Sequence, residues 1–141
     1  MRVKVYAVIE GFLIEQYRPA LLEWILSLKN DAQFGPFIMF GLGGIYVEVF
    51  KQTTFRLAPL RASDVDEFIA ELPAARLLEG ARGKPPLDRY ALGQAIKSLS
   101  ALAAVPELIS QICEIEINPL TVENNGICAL DAVITLNSLE S

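Results

Sequence analysis

The chain has 141 residues, 52% of them apolar, and a net charge of −5. That is enough for one domain with a buried core. The acidic balance argues against a nucleic-acid partner, whose phosphates bind clustered Lys and Arg. The chain contains no His, so alone it cannot run Ser-His-Asp or Cys-His catalysis, build a His-ligated zinc site or carry a phosphohistidine.

No apolar run approaches the roughly 20 residues of a membrane span, and neither a membrane nor a nucleic acid is expected as partner. The start, MRVKVYAVIEGFLIEQY, is broken by Glu10 and Glu15 and alternates like strands rather than like a signal peptide. The first half then reads as short strands rich in Val, Ile, Phe and Tyr: VKVYAVI, GFLIEQY, LLEWILSLK, PFIMFGL, and IYVEVF with TFRL. Gly, Pro, Asn and Asp separate them. KNDAQFGP is a turn, and FGLGG (40–44) is a glycine loop.

The middle of the chain is helical. Ser63 and Asp66 resemble a capping box, and Val65, Phe68, Ile69 and Leu72 follow on one helical face. Pro73 ends that helix. AARLLE is a short helical turn stopped by Gly80, and GARGKPPLD is a loop in which Asp88 caps the next helix. Leu92, Ala95, Ile96, Leu99, Leu102 and Ala103 mark its apolar face. Pro106 can begin a further short helix. Strands return at 112–122 and 127–136 around an NNG turn. Strands, then helices, then strands, without βαβ alternation, give an α+β class with a mainly antiparallel sheet packed against helices. The two Cys, 113 and 128, fall in apolar strand context. They read as core residues of a reduced, cytoplasmic protein rather than as a disulfide.

The last two strands raise the functional question. With Asn125-Gly126 as a two-residue hairpin loop, residue 133 faces Asn118 and Asp131 faces Leu120. Glu116, Asn118 and Asp131 then share one side of the ribbon, with Asp131 a diagonal neighbour of Asn118 at roughly 7–8 Å. Ile115, Ile117, Leu130, Ile134 and Leu136 form the opposite, core face. The polar side is either an ordinary solvated face or a set of hard oxygen ligands suited to Mg²⁺ on nucleotide phosphates. FGLGG likewise offers either backbone N–H groups to an anion or a tight turn.

Three long stretches carry a resemblance: DAQFGPFIMFGLGGIYVEVFKQTTFRLAPL (31–60), LLEGARGKPPLD (77–88) and EIEINPLTVENNGICALDAVITL (114–136). Together they resemble the β subunit, or ATP-grasp domain, of ADP-forming (NDP-forming) acetyl-CoA and acyl-CoA synthetases, over nearly the whole chain. The resemblance implies an ATP-grasp fold holding ATP or ADP and Mg²⁺. The implied chemistry is phosphoryl transfer between the nucleotide and a phosphohistidine on another domain or chain. It matches Glu116, Asn118 and Asp131 to the metal ligands of that family. Glu23 matches a family Glu that orients a base or phosphate, or that forms a structural ion pair. Arg56 is a cation for the triphosphate or an ordinary surface Arg, and Gly41, Gly43 and Gly44 belong to the candidate nucleotide loop. Arg82 and Lys84 fit a partner contact or solvent. No catalytic residue is assigned.

The chain also departs from that family. It resembles only the C-terminal ATP-grasp subdomain, taken here as a single domain over 1–141, without the lid half that normally precedes it. A GVE segment reads ALLE instead. Three roles follow as expectations: a subunit of a split synthetase that is inactive alone, an excised part of a longer one, or a degenerate remnant acting as a non-catalytic binding module. The partners implied are other synthetase subunits, or the lid and CoA-ligase domains, with a homo-oligomer also open. Val5, Tyr6, Val8 and Phe12 are candidates for the apolar surface a lid would cover.

Overall fold

A computed structural model of the chain describes residues 9–19, 22–44, 52–80 and 83–137. Among the described residues six strands form one sheet: β1 (Glu23–Asp31), β2 (Gly35–Leu42), β3 (Thr53–Leu57), β4 (Ile112–Glu123), β5 (Gly126–Ala129) and β6 (Ala132–Leu136). The order is β3-β2-β1-β4, and β4 is long enough to pair β5 along one half and β6 along the other. Every pairing is antiparallel. Three helices, α1 (Val65–Ala70), α2 (Arg89–Ala101) and α3 (Pro106–Ile109), lie between β3 and β4 in the chain, with 3-10 turns at Ala62–Asp64, Pro73–Glu79 and Leu102–Ala104. The α+β class and the antiparallel sheet are as the sequence predicts. Among the described residues no helix is long and apolar enough to cross a membrane.

The core explains which sheet face is covered. Trp24, Leu26 and Leu28 alternate along β1 and meet Ile38, Phe40 and Leu42 of β2. The helices close over this layer with Val65, Phe68, Ile69, Leu72, Leu92, Ile96 and Leu99, all buried. Trp24 stacks on Phe40 with ring centroids 5.1 Å apart, and Phe68 tilts against Phe40 at 6.4 Å. Among the described residues the helices pack on one face of the sheet.

Asp88 caps α2 as predicted: its Oδ1 accepts from the Ala91 N–H at 2.9 Å, filling one of the donors that a helix start leaves unpaired. Replacing Asp88 with Ala should lower stability by about 1 kcal/mol, read as a shift of the urea midpoint with an unchanged slope.

Several expectations are corrected. The capping box at Ser63 does not form. A 3-10 turn over Ala62–Asp64 runs into α1, so the Ser63 hydroxyl donates to Asp64 Oδ1 instead of capping the helix. GFLIEQY is not a strand: residues 11–17 carry no ladder, and Phe12, Leu13, Ile14 and Tyr17 are exposed. Cys113 is exposed and Cys128 half-buried, not core. Cys113 is the extra residue where the β4–β6 register shifts between Ile112 and Glu114, and a bulged residue is turned out of the ladder. Ile134, Leu136 and Leu130 do not form a core face either. No β6 residue belongs to the core cluster beneath the helices, and all five are exposed. Ile115 is buried, and Ile117 packs against the core. The strand expected at VKVYAVI, the IYVEVF segment, Arg82, and the surface role of Val5, Tyr6 and Val8 lie outside the described residues.

Candidate metal and nucleotide site

The hairpin register differs from the sequence expectation in a way that matters. Glu123 pairs Gly126, so Asn124-Asn125 is the loop, and Gly126 (φ +138°) begins β5. Gly126 therefore takes the unusual backbone just after the turn rather than inside it. Pairing moves by two residues. The shift is even, so the side of each residue is kept. Glu116 now faces Val133, and the Asn118 N–H donates to the Asp131 carbonyl at 3.1 Å. Asp131 is thus directly opposite Asn118, not diagonal to it.

Beside them β4 is bulged. Trp24 pairs Leu120 and Leu26 pairs Ile117, so Asn118 and Pro119 together oppose Ile25 alone. Pro119 has no N–H to give a ladder, and on the other edge Leu130 and Asp131 interrupt the strand between β5 and β6. The Leu130 N–H donates to the Pro119 carbonyl at 2.9 Å and holds the break closed. A bulge re-aims the side chains around it. The Asn118 amide Nδ2 donates toward Glu116 Oε1 at 3.4 Å, which leaves the amide oxygen as an acceptor. The sequence carried a signal for this feature in the Asn-Pro pair within a strand.

Charge on this face is uneven. Lys29 lies opposite Glu114 and pairs with it at 2.9 Å. Among the described residues no basic side chain pairs with Glu116 or Asp131. Two carboxylates and an amide oxygen, uncompensated and partly open to solvent, are a donor set that fits a hard divalent cation. Glu116 and Asn118 are half-buried and Asp131 is exposed.

Glu23, Gly43 and Gly44 come together. The Gly43 N–H donates to the Glu23 carbonyl at 2.7 Å. A Cβ on Gly43 would lie 2.8 Å from the Trp24 backbone, and one on Gly44 (φ +62°) would collide with the Glu23 carboxylate. These two glycines let the chain fold back over the start of β1. Gly41 is not part of a loop, contrary to expectation. It lies within β2, where a Cβ would come 2.5 Å from the Gln52 carbonyl.

Arg56 is held elsewhere. It pairs Ile38, a core residue, across β2–β3, so it projects toward the helices. There it is bound by the Glu71 carboxylate, with Glu67 at 3.9 Å and the Thr54 hydroxyl donating to the same Glu71. The structure therefore brings Glu116, Asn118 and Asp131 into one group and Glu23, Gly43 and Gly44 into another, and leaves Arg56 on the opposite face. Lys84 is on an exposed loop. The turn before β2 is fixed by Asp31, whose Oδ1 accepts from the Gln33 and Phe34 N–H groups at 2.8 and 2.9 Å. These two donors, Phe34 foremost, hold the Asp31 carboxyl below its ordinary pKa.

The chain as a whole is similar to known proteins. The chain is 40% identical over 126 residues to the β subunit of the ADP-forming acetate–CoA ligase I of Pyrococcus furiosus, an alignment covering 89% of this chain and 53% of that subunit. It is 39% identical over 124 residues to the ADP-forming acetate–CoA ligase I of Archaeoglobus fulgidus, covering 87% of this chain and 18% of that protein. Among solved structures it superposes on acetyl-coenzyme A synthetase 1 of Ca. Korarchaeum cryptofilum, in complex with coenzyme A and Mg-AMPPCP, with a TM-score of 0.78 and 39% identity. That match covers 86% of this chain and 55% of the other. The chain thus spans about half the length of the β subunits it matches. Residues 2–136 match the ATP-grasp domain family, and with this antiparallel sheet and its helices on one face the chain belongs to that family, as an ATP-grasp domain like that of ADP-forming acetyl-CoA synthetases.

Proposed function

We propose that this chain is the ATP/ADP- and Mg²⁺-binding part of an ADP-forming acyl-CoA synthetase. In that role it moves a phosphoryl group between the nucleotide and a phosphohistidine supplied by another domain or chain. The observation that carries the reading is that Glu116 and Asp131, with no basic partner among the described residues, lie beside Asn118 at the β4 bulge in a domain of the ATP-grasp family. The Korarchaeum relative, solved with Mg-AMPPCP and with its phosphohistidine segment pointing towards the nucleotide binding site, supports the ligand class. When bound, the cation would neutralise the phosphate charge that builds during transfer.

Glu116 and Asp131 would ligate the cation through their carboxylates and Asn118 through its amide oxygen. Glu23, fixed by the Gly43–Gly44 turn, would act as an orienting carboxylate near the nucleotide. Phosphoryl transfer needs a site shielded from water, whereas Glu116 and Asn118 are only half-buried and Asp131 is exposed. The partner is therefore the lid and CoA-ligase portion of such a synthetase, in a cytoplasmic setting.

The test is ATP–ADP exchange. The chain alone should show none, and adding the complementary synthetase portion should restore it. Exchange by the chain alone, or none with any such complement present, would count against the proposal.

A further inference from the structure

Ser27 sits in the middle of β1 with no solvent exposure, and its Oγ has no hydrogen-bond partner among the described residues. A buried hydroxyl left unpaired is costly and calls for an explanation. Its neighbours Leu26 and Leu28 belong to the core beneath the helices. By strand alternation Ser27 faces the other way, onto the side of the sheet that carries the candidate cation ligands.

On that side Ser27 lies directly opposite Glu116 of β4 and Met39 of β2. Directly opposed residues have Cβ atoms roughly 4.5–5.5 Å apart, a span that a serine hydroxyl and a glutamate carboxylate bridge by rotating toward each other. The thioether of Met39 is a weak acceptor. Glu114, the next carboxylate along β4, lies opposite Lys29, 2.9 Å from its ammonium, and so is diagonal to Ser27. Glu116 is the carboxylate directly opposite Ser27, and its contact with the Asn118 amide is long at 3.4 Å.

We propose that Ser27 is a positioning residue for the cation: its hydroxyl donates to the Glu116 oxygen that a bound divalent ion leaves free. One carboxylate oxygen goes to the ion and the other to Ser27, which fixes the plane of the carboxylate. Ligating carboxylates are commonly held in this way by a donor behind them. The inference rests on the reading of Glu116 as a cation ligand. It gives a purpose to a buried polar atom that packing alone does not explain.

Mn²⁺ binding to the full chain in the presence of ADP, read from the paramagnetic signal of the free ion, tests it alongside thermal unfolding in chelator. Ser27→Ala should leave the midpoint in chelator unchanged or raised, because it removes an unpaired buried group. It should weaken Mn²⁺ binding by about 10-fold and shrink the rise in midpoint that Mn²⁺ produces. If Ser27→Ala binds Mn²⁺ as tightly as the parent while Glu116→Ala does not, the inference falls and the cation site stands. A midpoint in chelator that drops on Ser27→Ala would reveal a structural partner for the hydroxyl and also overturn it. If Glu116→Ala binds like the parent, or the parent binds no Mn²⁺, both readings fall together.

Discussion

Changing Glu116, Asn118 and Asp131 together to Ala should abolish Mg²⁺-dependent nucleotide exchange in the complete assembly, by on the order of 10³-fold or more. A cation on the phosphates contributes several kcal/mol to the transition state, and each 1.36 kcal/mol is a factor of ten. The protein itself should remain folded. None of the three belongs to the core cluster, and Glu116 and Asp131 are without a cationic partner among the described residues. The change breaks no ion pair among the described residues and removes only the Asn118–Glu116 contact and the exposed bond from the Ala132 N–H to Asp131 Oδ1. The check is a parallel measurement of exchange rate and urea midpoint. Full exchange activity in the triple variant would remove these residues from the site.

The largest effect on stability should come from Phe40. It is fully buried, stacked on Trp24 and tilted against Phe68, so it joins sheet to helices at the centre of the domain. Truncation to Ala removes the transfer energy of a large ring and leaves a cavity, about 3–5 kcal/mol in comparable cores. The aromatic pairs add to this. Against a total stability of about 5–15 kcal/mol, that is enough to move the urea midpoint severely. Phe34→Ala is the control. Phe34 is 67% exposed, and its loss should change stability by about 0.5 kcal/mol or less.

Much of this architecture was legible in the residues. The apolar face of α2, the cap at Asp88 and the strands around Trp24 and Phe40 follow from local periodicity and capping chemistry, which act over a few residues. The polar side of β4 was legible because strand alternation is strict and the register error was even. What escaped depends on partners far along the chain. No local pattern says that β6 lies outside the core, so Ile134 and Leu136 read as buried. Ser27 and Arg56 sit on opposite faces of the sheet, each facing carboxylates that only the tertiary pairing brings near. The bulge at Asn118-Pro119 was written in the sequence, but only the pairing with Ile25 shows what it does to the site.

The outermost strand has a consequence for the life of the protein. β6 bonds only to β4 among the described residues, and Val133, Ile134 and Leu136 stand in solvent along it. Such a border is a template for any passing extended segment, including one from a sister molecule. Production in isolation should therefore be a race between finding the proper mate and clumping. Yield should improve when the mate is synthesised alongside, or when a lysine is placed at position 134 to make that border repel its own kind.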